Sequence, residues 1–146
     1  MTSAQRTPNE PNELVQAAYE FHARLEGELH ETLVELGLTD ALADALWQLD
    51  PALGPLSRRE LAERLRCDPS NVTFLVDRLE RKGLVTRTRV TGDRRVRALA
   101  LTPAGRRARR RLITTVARSS MFRRLTTAQQ RYLAALLGRC VDADGP

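Results

Sequence analysis

Between Leu56 and Leu101 the chain starts a helix, stops it, starts another, stops that one, and then changes its apolar period from three-and-four to two. Ser57 and Glu60 form a capping box, and Leu56, just ahead of the cap, can staple onto Leu61. Leu61, Ala62 and Leu65 supply the apolar side of this first short helix. Cys67 and Asp68 form a turn, with Asp68 as the next cap and Pro69 at the first helical position. Val72, Leu75, Val76 and Leu79 then make one buried stripe, and Gly83 closes the helix. Residues 84–101 alternate as strands, LVTRTRV and RVRALAL, around a turn at Thr91-Gly92-Asp93-Arg94. Arg87 and Arg89 share one face of the first strand, but Val85 has the same parity, so the alternation is imperfect near its base.

Two short helices joined by a tight turn and followed by a hairpin fit a helix-turn-helix with a wing. The same segment concentrates the charge: residues 56–111 hold seventeen basic side chains against six acidic ones, on a chain whose total is +6. A positive surface on that plan fits nucleic acid better than a small substrate. The twenty-three arginines against one lysine favour planar, bidentate recognition of phosphate and guanine edges.

In such a unit the second helix enters the major groove with its N-terminal end deepest. With 72, 75, 76 and 79 buried, the outward residues are Ser70, Asn71, Thr73, Phe74, Asp77, Arg78 and Arg81. Asn71 suits adenine, Ser70 and Thr73 suit bases or phosphates, and Arg78 suits guanine or a phosphate. Phe74 either packs on a thymine methyl or covers the base of the wing. Asp77 is expected to orient Arg78 or Arg81. At the hairpin tip, Asp93, Arg94 and Arg95 are expected to place a guanidinium in the minor groove. Arg58, Arg81, Arg87, Arg89 and Arg97 are expected on phosphates, where they position the protein without reading sequence. The run GRRARRR at 105–111 reads as a solvated basic face or as added phosphate contact.

Residues 12–36 read as one long acidic helix, with Leu14, Val15, Ala18, Tyr19, His22, Leu25, Leu29, Leu33 and Val34 recurring at three and four before Gly37. Its charge points it toward another helix or a partner subunit rather than phosphates. A helix from about Ala41 to Leu49, capped by Thr39 or Asp40, precedes the breakers Pro51, Gly54 and Pro55. Thr102 and Pro103 begin a helix expected to reach about Phe122, with Ala108, Leu112, Ile113, Val116, Ala117 and Met121 as its later apolar positions. Thr126 and Gln129 cap a last helix carrying Tyr132, Leu133, Leu136, Leu137, Cys140 and Val141.

Several classes fall away. No apolar run is long enough to span a bilayer, and the first residues lack the apolar stretch of a secretory signal, so a cytoplasmic protein without a membrane partner is expected. Two cysteines, Cys67 and Cys140, do not make a disulfide framework and are expected as small buried or half-buried residues. Cys67, beside Arg66 and a helix start, keeps a redox role open. His22 and His30 lie eight apart on the acidic helix, too far to share a metal, and no nucleophile–base pair or metal-ligand cluster is visible. Neither enzyme chemistry, a metal nor a cofactor is expected.

The run DPSNVTFLVDRLERKGLVTRTRVTGDRRVRALALTPAGRRARRRL, residues 68–112, resembles the MarR family, the multiple-antibiotic-resistance type of winged-helix regulator. LSRRELAERL upstream is similar to the family's first reader helix. Leu79 through Val85 meet its Leu-Glu-x-x-Gly-Leu-Val, Asp93 through Arg95 its Asp-Arg-Arg tip, and Leu101 through Gly105 its Leu-Thr-Pro-x-Gly. The helical order extends the likeness over residues 12–142. The resemblance implies a mainly α (α+β) fold, a winged helix-turn-helix with long N- and C-terminal dimerisation helices. It divides the chain into a flexible arm (1–11), an N-terminal dimerisation helix (12–36), the DNA-binding domain (37–101) and C-terminal dimerisation helices (102–146).

It further implies a homodimer on a pseudo-palindromic double-stranded DNA operator, usually a repressor, often released by a small phenolic or lipophilic effector. Ser70, Asn71, Thr73 and Arg78 match the family's major-groove readers, Arg95 its minor-groove arginine and Asp93 the supporting acid. Phe74 departs from the Arg or other polar residue common at its position. The reactive cysteine that the peroxide-sensing branch carries in its first helix has no counterpart here. An effector cleft is implied where the dimer helices meet the winged helix, with Tyr19, His22, Trp47 and Val116 as candidates. Three other readings stay open: a ligand-insensitive architectural or protein-interaction module, a transcriptional activator, and a cysteine-based redox sensor.

Overall fold

The apolar periodicities converge on one core, to which Leu33, Leu42, Leu46, Leu61, Val72, Val76, Leu79, Leu99 and Leu112 all contribute. The computed structural model describes residues 11–90 and 93–141, with backbone alone at 11, 89, 90 and 93–97. Helix α1 (Pro11–Leu36) ends before Gly37, and α2 (Asp40–Gln48) begins where the Thr39 hydroxyl accepts the Leu42 N–H. A short 3-10 turn (Pro51–Leu53), capped by Asp50, leads into strand β1 (Leu56–Ser57). Helices α3 (Arg58–Leu65) and α4 (Pro69–Arg81) follow, then strands β2 (Val85–Val90) and β3 (Asp93–Leu101). Helices α5 (Pro103–Ala117), α6 (Ser120–Arg123) and α7 (Thr127–Val141) complete a mainly α fold with a small β wing.

The two reader helices form where the local signals place them. Ser57 Oγ accepts the Glu60 N–H at 3.1 Å, and the Glu60 carboxylate accepts the Ser57 N–H at 2.7 Å. These bonds from Ser57 hold the Glu60 carboxyl below its ordinary pKa. Leu56 and Leu61, on either side of the cap, are buried. Arg66 ends α3 in the left-handed conformation, φ 51°, which turns the chain sharply toward α4. Pro69 presets the first turn of α4, and Val72, Leu75, Val76 and Leu79 are all buried. Asp68 sits at the cap position, but its side chain makes no capping bond, so α4 starts on proline geometry rather than on an aspartate cap.

The sheet has the order β1-β3-β2, antiparallel throughout, with Leu56 opposite Leu99 and Val85 opposite Leu101. Strand β1 was not expected: two residues after a proline carry no alternation, and only pairing with β3 defines them. The wing base is fastened by Thr102. Its hydroxyl donates to the Gly83 carbonyl at 2.6 Å and accepts the Gly105 N–H at 3.0 Å, while its own N–H donates to Leu84 O at 3.0 Å. Gly83 supplies the positive φ of 69° that the end of α4 requires. Gly105 faces the Leu84 carbonyl so closely that a Cβ there would lie 1.9 Å from the oxygen. The Leu-Thr-Pro-x-Gly motif is therefore the joint between wing and α5.

The expected single helix to Phe122 is interrupted. Helix α5 stops at Ala117, and Ser119, buried, caps the short α6 by accepting the Met121 N–H at 3.1 Å. The serine satisfies the new helix start and lets the chain turn. Helix α1 packs along α5, where the Thr32 and Thr115 hydroxyls meet at 3.0 Å. Phe21 stacks edge-on against Phe122 of α6, centroids 5.7 Å apart. Thr126 and Gln129 form the expected box at the start of α7. The apolar stripe of α7 nevertheless buries nothing within the chain, and Leu14, Val15 and Tyr19 of α1 are equally exposed. No described helix is long and apolar enough to cross a membrane.

Candidate nucleic-acid interface

Burial of one face of α4 decides what the other presents. Ser70 and Asn71 are exposed in its first turn, where Pro69 carries no N–H and those of Asn71 and Val72 donate to the Asp68 carbonyl at 3.0 and 3.2 Å. The Thr73 hydroxyl donates back to the Pro69 carbonyl at 3.0 Å, which leaves its lone pairs as acceptors. Phe74 is 53% exposed, so it stands out from the helix instead of being tucked under the wing. The Arg78 guanidinium carbon lies 5.5 Å from the centre of the Phe74 ring, a cation–π contact one helical turn along. Arg81 donates to the Asp77 carbonyl at 3.3 Å, and Arg58 is exposed in the first turn of α3.

Two expected roles change here. Asp77 orients neither Arg78 nor Arg81 with its carboxylate. Its partner is Arg87 of β2, whose Nη2 lies 2.5 Å from Asp77 and 2.9 Å from Glu80. Arg87, expected on a phosphate, is turned inward to bridge two acids one turn apart on α4, and its Nε is buried without a partner. The bridge ties the reader helix to the first wing strand. Parity hinted at it, since Arg87 shares the face of buried Val85, but Glu80 carried no signal of its own. The side chains of Arg89, Asp93, Arg94, Arg95 and Arg97 lie outside the described residues, as do Thr91 and Gly92 of the turn and the arm at 1–10. Their backbone shows β2 and β3 paired up to Val90 and Asp93, with a register shift between Arg89 and Val90.

The basic run at the start of α5 is neither simply solvated nor uniformly free. Arg109, its side chain only 14% exposed, pairs with Asp50 at 3.2 Å and donates to the Trp47 carbonyl at 3.0 Å. Arg64 reaches the neighbouring Gln48 carbonyl at 3.2 Å, so two arginines satisfy the C-terminal carbonyls of α2. Arg106 donates to Leu101 O at 3.0 Å, and Arg111 pairs with Glu35 of α1. Arg107 and Arg110 remain exposed. Half the run is thus a clamp between α5 and the elements around it, which i-to-i+1 sequence neighbours cannot reveal.

The four effector candidates do not meet. Trp47 and Val116 line one cleft of about 400 Å³ with Leu25, Leu29, Asp44, Gln48, Arg64 and Leu65. Tyr19 lines a separate hollow between α1, α6 and α7 with Phe21, Phe122 and Leu133. His22 pairs instead with Glu26, 3.3 Å away on the outer face of α1. Desolvation, then the charges of Asp40 and Glu26, raise the Asp44 carboxyl above its ordinary pKa against a smaller opposing effect of His22. Cys67 is half-buried against the core, as expected, whereas Cys140 is exposed. Among the described residues no group of three His, Cys, Asp or Glu is placed to hold a metal.

A helix held by its apolar stripe, its polar N-terminal half turned outward beside a two-stranded hairpin, defines a winged helix-turn-helix, a DNA-binding fold. The model of the MarR family matches residues 38–96. Over those residues the chain is similar to the MarR family of winged-helix transcriptional regulators.

It is 42% identical over 82 residues to the HTH-type transcriptional repressor MdtR of Bacillus subtilis (strain 168), a match that takes in 56% of this chain and 52% of MdtR. The chain thus spans about half the length of that relative. Two solved structures are similar almost end to end. The PcaV transcriptional regulator from Streptomyces coelicolor is 28% identical with a TM-score of 0.64, covering 99% of this chain and 100% of PcaV. CouR from Rhodococcus jostii RHA1 is 25% identical with a TM-score of 0.75, covering 96% of this chain and 97% of CouR.

Proposed function

We propose that this chain is a homodimeric repressor that binds a pseudo-palindromic operator in double-stranded DNA and lets go when a small phenolic or lipophilic molecule binds. The observation that carries it is the outward face of α4, where Ser70, Asn71, Thr73, Phe74 and Arg78 stand together above a fully buried stripe. In this reading α4 lies in the major groove, Ser70 and Asn71 deepest. Asp93, Arg94 and Arg95 act at the minor groove. Arg58, Arg81, Arg89 and Arg97 hold phosphates, joined by the exposed Arg107 and Arg110. Arg87 acts through Asp77 and Glu80 to set the angle between reader helix and wing.

Dimerisation through α1, α5 and α7 is supported by the exposed apolar residues of α1 and α7, which one chain leaves uncovered. Two copies then meet two half-sites about one helical turn apart. The effector reading is supported by the cleft lined by Trp47 and Val116, at the junction of the long helices with the winged helix. PcaV was solved with its natural ligand and CouR bound to p-coumaroyl-CoA.

Selection from a random duplex library tests the core of the proposal. The expected result is a motif with two related half-sites, bound by a species of twice the chain mass. Arg95→Ala is expected to weaken that binding strongly without changing the mass. Affinity is expected to fall steeply as salt rises, because released counterions drive phosphate binding. Enrichment of no motif, or a flat salt response, overturns the reading. A panel of phenolic acids, lipophilic antibiotics and peroxide added to the bound duplex tests the release step. No release by any of them favours the ligand-insensitive reading, and release by peroxide alone, lost in Cys67→Ser, favours the redox one.

A further inference from the structure

We infer that Phe74 and Arg78 act as one composite reader, selecting a guanine that has a pyrimidine 5-methyl group within two base pairs of it. The inference rests on the DNA-binding reading above and gives it a chemical specificity. Phe74 is the large apolar residue on the outward side of α4, and it keeps 53% of its surface in solvent. An exposed aromatic ring on a reader helix, set among Ser70, Asn71, Thr73 and Arg78, has one apolar target in the major groove: the C5-methyl group of thymine. The ring is also fixed in place relative to the guanidinium. Arg78 lies one turn further along the same face, its guanidinium carbon 5.5 Å from the ring centre.

That spacing sets the footprint. Stacked bases are about 3.4 Å apart along one strand, so two contacts separated by 5.5 Å fall on positions one or two base pairs apart. The ring restricts the guanidinium to fewer rotamers before DNA arrives, which lowers the entropy lost on forming a bidentate bond to guanine O6 and N7. Among the described residues no acid holds Arg78, because Asp77 beside it is occupied by Arg87 at 2.5 Å. The positive end of the pair meets the guanine acceptors, and the apolar end meets the methyl group.

The probe is the duplex selected from a random library, carried by the full chain. Selection with Arg78→Ala identifies the guanine, because preference for it disappears. Each thymine within two base pairs of that guanine is then replaced by deoxyuridine, which removes the methyl group alone. The wild-type chain is expected to bind the deoxyuridine duplex about fourfold more weakly per half-site, the effect of one buried methyl group. Phe74→Ala is expected to bind both duplexes equally, with an unchanged melting temperature because the ring is exposed. Phe74→Leu is expected to keep the methyl discrimination while losing part of the guanine preference, since it retains apolar surface without the π face. Substituting 5-methylcytosine for the thymine, with its pairing partner changed, is expected to keep more affinity than unmethylated cytosine.

Equal wild-type affinity for thymine and deoxyuridine at every such position overturns the inference while leaving DNA recognition standing. So does Phe74→Ala that retains full discrimination, or Arg78→Ala that keeps its guanine. A chain that enriches no motif overturns the DNA-binding reading, and this inference with it.

Discussion

Helices α4 and α7 look alike on paper and behave differently in the fold. They span thirteen and fifteen residues, and each carries apolar side chains at three and four. In α4 the stripe of Val72, Leu75, Val76 and Leu79 is buried, whereas in α7 Tyr132, Leu136, Leu137 and Val141 stay exposed. An amphipathic period establishes that a helix has an apolar face. It does not establish that the same chain covers it. Helix α4 is flanked by α2, α3 and β2, which close over its stripe. Helix α7 follows the break at Ser119 and has no such roof, so its stripe, with that of α1, suits a second copy of the chain.

Opposed substitutions sharpen this contrast most. Leu79→Ala is expected to destabilise the chain by about 2–5 kcal/mol, the range for emptying a core leucine site. Denaturant unfolding should show that loss at every protein concentration. Leu137→Asp is expected to leave intrachain packing alone and to weaken the dimer by about a hundredfold or more, as a charge is placed in an apolar contact. Sedimentation should then find a monomer, and an unchanged dimer would break the comparison. Gly105→Ala presses a methyl group into the Leu84 carbonyl and is expected to cost about 1–3 kcal/mol in thermal unfolding, whereas Gly138→Ala in α7, with open space around it, is expected to cost nothing.

Two smaller effects run in opposite directions with pH. Ser57→Ala removes the reciprocal cap on α3 and is expected to cost about 1 kcal/mol near neutrality. Glu60 has a lowered pKa in the fold, so its stabilising contribution is present above its unfolded pKa and disappears as pH falls through the lowered value. The deficit of Ser57→Ala should shrink over that same range. Asp44 has a raised pKa, so its ionised form destabilises the fold as pH rises through the window between its unfolded and folded values. Asp44→Asn should therefore be slightly more stable than the parent at neutral pH, with the gain gone below the ordinary aspartate range. A constant difference across the titration would show that neither carboxyl is coupled to folding.

The reader was legible because its signals are local. Ser57 with Glu60, Pro69, the spacing of the stripe 72-75-76-79, Gly83 and the Thr102 cap on Gly105 are each set within one or two helical turns or one tight turn, without help from distant residues. The features that escaped depend on partners distant in sequence. Arg87 reaches Asp77 and Glu80 across the gap between β2 and α4, and Arg109 reaches Trp47 and Asp50 some sixty positions back. Both had the appearance of free phosphate-binding charge, because a lone arginine in a basic run carries no mark of its acid. The effector candidates failed to converge for the same reason: Tyr19 and Trp47 open into different hollows, and only packing assigns a side chain to a hollow.

The sequence by itself determined where the two reader helices begin and end and which face of α4 is apolar. Periodicity and capping are properties of neighbours along the chain, and they act before any tertiary contact exists. Only the tertiary structure decided which charges remain available. Ion pairs and carbonyl caps form between elements brought together by the core, and they engage Arg87, Arg109 and Arg111 while, among the described residues, leaving Arg78 without an acid beside the exposed ring of Phe74.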